Sequence, residues 1–228
     1  MREIVMDTET TGLDPNSGDR IVEIGGVELV NHLPTGRTYH QYINPKRPMP
    51  QEAFEIHGLG DEFLRDYPTF DRIADAFLEF IGDAKLVIHN ASFDMMFLNA
   101  ELGWLGKPLI PMAQSLDTLA IARRKFPGAQ ASLDALCKRF GVDNSAREKH
   151  GALLDSEILA EVYLELLGGR QQGLTLSSAN KKVEASVASD WTPPPRPRAL
   201  KPRTTDVEAD AHAAFVAELG ENAIWLKH

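Results

Sequence analysis

The sequence has little cysteine, no long apolar segment and no excess of positive charge. Its 228 residues include one cysteine, Cys137, which excludes a disulfide scaffold and any zinc site built from cysteines. No run of 18 apolar residues is present, so we expect no membrane span. The formal net charge of −9 argues against a protein that coats duplex DNA through a broad basic surface.

The remaining composition is that of a folded protein. The hydrophobic content of 43% is ample for a packed core, which excludes wholesale disorder. The first ten residues, MREIVMDTET, carry acids where an export signal requires an apolar stretch. We therefore expect a cytoplasmic location and no membrane contact.

Charge divides the chain into three parts. The formal net charge is −10 over 1–167, +5 over 168–205 and −4 over 206–228. The middle part holds five clustered prolines and lacks apolar periodicity, and prolines cannot donate hydrogen bonds to a helix or a sheet. We predict a folded domain at 1–169 and a flexible, proline-rich linker at 177–205 that tethers a C-terminal tail.

The last segment, 206–228, carries apolar residues after the linker. Ala211, Phe215 and Leu219 are spaced as on one side of a helix, and Trp225 follows them. So short an amphipathic segment cannot bury its own apolar side. Two interpretations remain open, a frayed tail and a peptide that docks on a partner.

The hydrophobic periodicity of 1–167 predicts an α/β fold. Three strands come first, at 3–8, 20–30 and 37–43. Strands and helices then alternate, with a helix at 70–81, strands at 85–89 and near Asp117, and helices after Asn90, at 118–126, at 132–141 and at 152–167. This order predicts a mixed sheet flanked by helices. Gly25 and Gly26 interrupt the second strand and indicate a bulge or a point of close packing.

Two acids stand at the end of the first predicted strand. Residues two apart on a strand point to the same face, so Asp7 and Glu9 emerge together. Adjacent carboxylates repel each other and gain little unless a cation lies between them. A solvated strand end is the alternative explanation for such a pair.

Two further acids lie near helix starts. Asp94 falls in the first turn of a helix, where the helix dipole favours an acid, but it also follows a strand end, where α/β sheets form their sites. Asp155 borders the apolar side of the helix at 152–167, where an unpaired carboxylate is costly. His150 precedes it in a charged loop and could reach the same site from the rim, although an ordinary solvated histidine fits the pattern as well.

Four carboxylates in one pocket at neutral pH require divalent cations. Oxygen ligands favour Mg²⁺ or Mn²⁺ over zinc. Two such ions about 3.5–4 Å apart stabilise the attacking and leaving oxygens of a phosphoryl displacement. A loop histidine, with an ordinary pKa of about 6.5, is suited to take a proton from the attacking water. The pattern therefore predicts metal-dependent phosphodiester hydrolysis.

The order of these motifs resembles that of a known family. D-x-E at 7–12, H-N-x-x-F-D at 89–94 and H-x-x-x-x-D at 150–155 resemble the three motifs of the DEDDh 3′→5′ exonuclease superfamily. The stretch EAFEIHG at 52–58, with DEFL after it, is similar to the epsilon proofreading subunits of bacterial DNA polymerase III. The resemblance covers residues 1–170. It implies a ribonuclease H-like fold and removal of mispaired 3′-terminal nucleotides.

The resemblance also implies roles for single residues. Asp7, Glu9 and Asp155 would bind the first of two divalent cations, Mg²⁺ or Mn²⁺. Asp7 would contact the second ion as well, with Asp94 helping through water. His150 would be the general base.

Other residues match family positions near the terminal nucleotide. Glu52 and His57 would lie beside it; the alternatives are a solvated helix acid and a turn histidine, and the family match favours the functional role for both. The substrate-binding set implied by the resemblance is Asp7, Glu9, Glu52, His57 and Asp155. Asp117 is also a family position, but a capping aspartate explains it, so we treat it as structural. For His89 we favour a core or capping role.

The segments after the domain resemble docking peptides. QQGLTL is similar to the peptide with which bacterial polymerase subunits bind the sliding clamp. The anchors of this clamp peptide, predicted at 170–176, are Gln171, Leu174 and Leu176. The anchors for the polymerase catalytic subunit, predicted in 206–228, are Phe215, Leu219 and Trp225. Single-stranded or mismatched 3′ DNA ends and a small third core subunit complete the partners that the resemblance implies.

Two other functions stay open on the sequence alone. One is an RNA-directed exonuclease of the same superfamily, which shares all the catalytic residues. The other is a mainly structural bridge between polymerase and clamp with a vestigial nuclease. The linker and the two docking peptides favour the replication subunit over the first. The complete set of acids, together with His150, argues against the second.

Overall fold

The computed structural model describes residues 1–145, 147, 149–169 and 204–219. These residues belong to two separate units, one within 1–169 and the other within 204–219. Several predicted features lie outside the described residues, namely most of the linker, Gln171, Leu174, Leu176 and Trp225.

The first unit alternates strands and helices in the predicted order. Its described strands are β1 (Arg2–Thr10), β2 (Ile21–Val30), β3 (Leu33–Tyr42), β4 (Lys85–Ile88) and β5 (Ser115–Asp117). Its described helices are α1 (Gln51–His57), α2 (Asp61–Leu64), α3 (Phe70–Ile81), α4 (Ala91–Trp104), α5 (Thr118–Lys125), α6 (Leu133–Phe140) and α7 (Ala152–Leu167).

The five strands form one mixed sheet in the order β3-β2-β1-β4-β5. The β1–β2 and β2–β3 pairs are antiparallel. The β1–β4 and β4–β5 pairs are parallel, so these three strands end at the same edge of the sheet. The predicted mixed sheet flanked by helices is confirmed.

Both faces of the sheet are covered by helices. Ile4 and Met6 of β1 belong to a core that includes Phe77 of α3 and Phe97 of α4. Val5, which points to the opposite face, belongs to a second core with Leu159 and Tyr163 of α7. Because alternate residues of a strand face opposite sides, residues 4–6 of β1 supply apolar side chains to both faces before the strand reaches Asp7.

Gly25 lets α7 lie directly on the sheet. A Cβ atom at Gly25 would come within 2.2 Å of the backbone at Ala152 and Leu153, a separation that no side chain allows. The Ser156 hydroxyl donates to the Gly25 carbonyl oxygen at 3.1 Å. The close-packing interpretation of this glycine is thus confirmed, whereas the register of β2 against its neighbours shifts elsewhere, at Glu9/Thr10 and at Val27/Leu29.

Some local expectations need correction. β3 begins at Leu33, because Asn31 and His32 adopt positive φ angles of 52° and 66° and close a two-residue turn from β2. The hydrophobic periodicity does not predict the helices α1 and α2, which are short. Asn90 occupies the cap position of α4 in the left-handed region, but its side chain makes no capping hydrogen bond.

The second unit contains one described helix, α8 (Asp206–Glu218). Thr205 and Glu208 cap its start by exchanging side-chain and backbone hydrogen bonds, as a capping box does. Val207, Phe215 and Leu219 are exposed. In the part of the chain that the structure describes, no helix has the length and apolar character that crossing a bilayer requires.

Candidate active site

The sheet places three of the predicted acids at one edge. β1 and β4 run parallel, so their carboxyl ends meet there. Asp7 and Glu9 leave the end of β1 on the face that α7 covers, and Asp94 lies in the first turn of the helix that follows β4. A hydroxyl group fixes the last of these carboxylates, because Thr8 donates to Asp94 Oδ1 at 2.7 Å.

The fourth acid comes from the other side of the fold. Asp155 lies in the first turn of α7, and this turn rests on Gly25, which pairs with Asp7 across the β1–β2 ladder. Close contact between α7 and β2 therefore brings Asp155 toward Asp7. Asp155 is only 3% exposed.

The four carboxylates and His150 line a single cavity of about 270 Å³. The other residues that line it are Thr8, His89, Phe93, Ser132, Leu133, Asp134 and Arg147. Carboxylate and imidazole atoms of Glu9, His150 and Asp155 lie within 4.8 Å of one another. The residues thus lie together as their spacing in the sequence predicted.

The electrostatics of the cavity differ from one acid to the next. Burial, together with the charges of Asp94, Glu9 and Asp155, raises the pKa of Asp7 well above its ordinary value. Burial and the Asp155 charge raise the pKa of Glu9 to about 8. Burial raises the pKa of Asp94 to about 7, against the hydrogen bond from Thr8. Three of the four acids therefore resist ionisation in the metal-free protein.

Asp155 behaves in the opposite way because a cation lies beside it. The Arg147 guanidinium donates to both oxygens of Asp155, through Nε at 2.6 Å and Nη2 at 2.8 Å. Burial alone would raise the pKa of Asp155, but His150 and Arg147 outweigh it and hold the pKa below its ordinary value. A positive charge thus already satisfies one of the acids.

This donor set fits divalent cations. Oxygen-rich clusters of buried carboxylates are suited to Mg²⁺ or Mn²⁺. The raised pKa values of Asp7, Glu9 and Asp94 show that the cluster lacks positive charge. A guanidinium already occupies the carboxylate of Asp155, as expected where a cation is needed.

Comparison with known proteins identifies similar sequences among exonucleases. Residues 4–163 match the exonuclease family of the RNase T type. DNA polymerase III subunit epsilon of Rickettsia conorii is 49% identical over 226 residues, which cover 98% of both chains. The subunit of the same name from Escherichia coli K12 is 42% identical over 98% of this chain and 97% of its own.

The chain belongs to the DNA polymerase III epsilon-subunit family of exonucleases.

Solved structures carry the same fold. Exonuclease X in complex with 5′ overhanging duplex DNA is 28% identical to this epsilon-family chain, with a TM-score of 0.55 over 73% of this chain and 90% of its own. The nuclease domain of 3′hExo, a DEDDh family member bound to rAMP, is 20% identical, with a TM-score of 0.64 over 73% and 91%. The second likeness concerns the fold alone, and it confirms the predicted ribonuclease H-like architecture.

A second cavity of about 260 Å³ adjoins the first in this epsilon-family chain. The two cavities share Thr8, Glu9 and Phe93 as lining residues. Glu52 and His57 of α1 line the second cavity. His57 Nδ1 accepts a hydrogen bond from the Leu59 amide at 3.0 Å, and burial lowers the pKa of His57 against an opposing effect of the Thr10 backbone.

Asp117 and His89 have contacts that belong to the scaffold. Asp117 Oδ1 accepts from the Leu119 amide at 2.9 Å and caps α5, as expected for a structural residue. His89 Nδ1 lies 2.9 Å from the Thr118 hydroxyl. Its ring nevertheless lines the first cavity, next to the acids.

Sequence reasoning missed several residues of the site. Arg147 gave no signal, because an arginine in a charged loop is ordinary. Asp134 on α6 was likewise passed over, as was Glu23, which is 3% exposed and faces Glu9 across the β1–β2 ladder. An acid between apolar residues of a predicted strand was the available clue for Glu23.

Proposed function

We propose that this chain is the proofreading 3′→5′ exonuclease of a bacterial replicative DNA polymerase and removes mispaired 3′-terminal nucleotides. The observation that carries the proposal is the convergence of four carboxylates and His150 on one cavity. Relatives named as epsilon subunits of DNA polymerase III match nearly the whole chain, which favours DNA over RNA as substrate.

Asp7, Glu9 and Asp155 would hold the first divalent cation in this proposal. Asp7 would also hold the second ion, helped by Asp94, whose carboxylate accepts a hydrogen bond from Thr8. Bound Mg²⁺ or Mn²⁺ would supply Lewis-acid stabilisation of the phosphodiester and lower the pKa of the attacking water. The protein contributes a rigid carboxylate frame built on β1, α4 and α7.

His150 receives the proton of the attacking water in this proposal. Its side chain is 49% exposed, and its Nδ1 lies 3.5 Å from Asp155 Oδ2, so it stands at the rim of the cavity. Glu52 and His57 bind the terminal nucleotide in the adjoining cavity. Substitution of Glu52 by Gln should therefore raise KM for a DNA end while the affinity for Mn²⁺ stays unchanged.

The C-terminal segments link the exonuclease to its partners in this proposal. Exposed Phe215 and Leu219 on α8, together with Trp225, bind the polymerase catalytic subunit. The peptide at 170–176 binds the sliding clamp, and a small third subunit joins the core. A cytoplasmic location follows from the role of the relatives as replication subunits.

Nucleotide release from labelled primers tests the proposal. A DNA primer with a mismatched 3′ end should lose its terminal nucleotide with Mg²⁺ or Mn²⁺, faster than a fully paired primer or an RNA of the same sequence. Glu9→Gln should abolish release, whereas Glu55→Gln, an exposed acid of α1, should leave it intact. Preference for the RNA would support the RNA-directed alternative, and absence of any hydrolysis would support a structural bridge.

A further inference from the structure

Arg147 contacts three other residues of the active-site cavity through one guanidinium group. Besides both oxygens of Asp155, it contacts Asp134 of α6, through Nη1 at 2.7 Å from Oδ1. Its Nη2 also lies 2.8 Å from His150 Nδ1. The Arg147 side chain is 9% exposed, so these contacts are made largely away from solvent.

The contact with His150 fixes the state of the imidazole. A guanidinium can only donate hydrogen bonds, so His150 Nδ1 accepts and the neutral ring carries its proton on Nε2. The 3.5 Å separation between Nδ1 and Asp155 Oδ2 is longer than the contact with Arg147. In this arrangement neither ring nitrogen has a lone pair available for a further proton.

The contact with Asp155 uses the atoms that a cation needs. The bidentate fork takes one lone pair from each carboxylate oxygen, in the planar geometry that arginine favours. A divalent cation that binds the same carboxylate brings a double positive charge close to the guanidinium. Like charges at such a distance repel strongly in a buried site.

We propose that Arg147 is a positioning residue that acts as a latch, holding Asp155 and His150 while metal is absent and leaving Asp155 when a divalent cation binds. This inference rests on the proposed metal-dependent function. The latch couples cation binding to the release of His150 Nδ1 from Arg147. The general base therefore becomes available only in a site that is loaded with metal.

The surroundings of Arg147 allow this exchange without unfolding the site. The His150 amide donates to the Ile56 carbonyl oxygen at 3.3 Å, and Lys149 Nζ lies 5.1 Å from the centre of the Phe54 ring. These two contacts hold His150 and Lys149 against α1. The described contacts of Arg147 itself are with charged or polar side chains, so its side chain can leave Asp155 while His150 stays in place.

Titration of the full-length chain with Mn²⁺, followed by calorimetry, tests the latch. Arg147→Lys keeps the positive charge but removes the fork, and it should bind Mn²⁺ about tenfold more tightly than wild type, equivalent to about 1.4 kcal/mol. Asp134→Asn removes an anchor of the latch and should also tighten binding. Arg124→Gln, an exposed arginine of α5, is the control and should leave the affinity unchanged.

The sign of the Asp134→Asn effect separates the latch from simple electrostatics. If only the electrostatic field matters, Asp134→Asn removes a negative charge near the cavity and lowers the affinity for Mn²⁺. Arg147→Lys keeps the charge and then leaves the Mn²⁺ affinity unchanged. Weaker or unchanged Mn²⁺ affinity in both variants overturns the latch while the proposed function stands. If the wild type binds no Mn²⁺, the proposed function fails, and the latch fails with it.

A second measurement uses the wild-type protein and so does not depend on whether a variant folds. Nitrogen-15 NMR of the wild-type imidazoles should show His150 as the Nε2–H tautomer in the metal-free protein. Addition of Mg²⁺ should end this fixed tautomer, because Nδ1 is then released from Arg147. A metal-free ring that carries its proton on Nδ1, or one that Mg²⁺ leaves unaltered, overturns the proposal.

Discussion

At the scale of single residues, the four acids of the site are held in two different electrostatic states. Asp155 is paired with Arg147, whereas Asp7, Glu9 and Asp94 crowd one another with raised pKa values. Crowded carboxylates store unfavourable energy that a cation can relieve. The metal-free site is therefore a source of instability that grows as these groups ionise.

The metal-free protein should lose stability as the pH rises. The pKa of Glu9 rises from 4.5 to about 8 on folding, and that of Asp94 from 3.8 to about 7. Between these limits the folded chain binds more protons than the unfolded chain, so the free energy of unfolding falls with pH. Melting curves with EDTA should show Tm decreasing from pH 5 to pH 8.

Two comparisons make this prediction specific. Excess Mg²⁺ should flatten the decrease, because the cation binds the ionised site, and Glu9→Gln should flatten it without metal. Each kcal/mol of lost stability lowers Tm by about 2–4 °C in a domain of this size. A Tm that rises over the same range would contradict the assigned pKa shifts.

Asp7→Ala should abolish nuclease activity while the fold remains intact. Asp7 is the acid proposed to contact both ions, and its removal relieves repulsion with Glu9, Asp94 and Asp155. The metal-free variant should therefore melt at or above the temperature of wild type. Ile4→Ala, a fully buried neighbour on β1, is the contrast and should cost about 2–5 kcal/mol. A similar loss for Asp7→Ala would make Asp7 a structural residue.

His150→Ala should slow hydrolysis by roughly 10²–10⁴-fold, the usual contribution of a positioned general base. Mn²⁺ affinity measured by calorimetry should not fall, since the base acts on water and is not a required ligand. A ring nitrogen of His150 does lie in the cluster with Glu9 and Asp155, so the measurement is decisive. A large loss of Mn²⁺ affinity would make His150 a ligand instead.

At the scale of elements, the contact between α7 and β2 sets the position of Asp155. Gly25→Ala should displace α7, because the new methyl group would overlap the backbone at Ala152. We expect activity to fall by more than tenfold, with lower thermal stability. Gly103→Ala in α4, where a Cβ atom meets only an ordinary contact at 3.8 Å, is the matched control and should be neutral or stabilising. Unchanged activity of Gly25→Ala would remove the link between this contact and the site.

The long elements could be predicted from the sequence, and the short ones could not. The helices at 70–81 and 152–167 were predicted with the bounds that the structure has, since their apolar residues repeat over three or more turns. α1 and α2 have seven and four residues, too few for a periodic pattern. The turn at Asn31 and His32 lacks the glycine that usually marks positive φ angles. The predicted third strand therefore starts at residue 37, whereas β3 starts at Leu33.

The acids of the site could be predicted because their spacing depends on strands and helices. Asp7 and Glu9 share a face for reasons of strand geometry alone. The role of Arg147 could not be predicted, because the contacts of a long, flexible side chain in a loop depend on the tertiary structure. Its partners Asp134 and Asp155 stand on two different helices.

At the scale of the whole molecule, catalysis and docking should be separable. The three cores of the described residues end at Leu166, so a chain cut after Gly169 should fold. It should digest single-stranded DNA at close to the full-length rate but lose the polymerase subunit, because Phe215, Leu219 and Trp225 are gone. Pull-down with purified polymerase and clamp checks this, and capture of the polymerase by 1–169 would refute the docking role of 206–228.

A matched variant tests the second docking peptide in the full chain. Combined substitution of Gln171, Leu174 and Leu176 by Ala should weaken clamp binding and leave polymerase binding intact. A tethered module acts at an effective concentration of about millimolar when the linker is short and flexible. Loss of either contact should thus reduce proofreading during synthesis more than it reduces isolated nuclease activity.

The seating of α7 on Gly25 also bears on how the enzyme is made. Ribosomes deliver β1, with Asp7 and Glu9, at the beginning of translation, whereas Asp155 arrives with the last helix of the first unit. Contacts between elements so distant in sequence carry a larger loop-closure cost than local contacts. We therefore expect a growing polypeptide to lack the complete set of acids, and to be inactive as a nuclease, until α7 has emerged and docked.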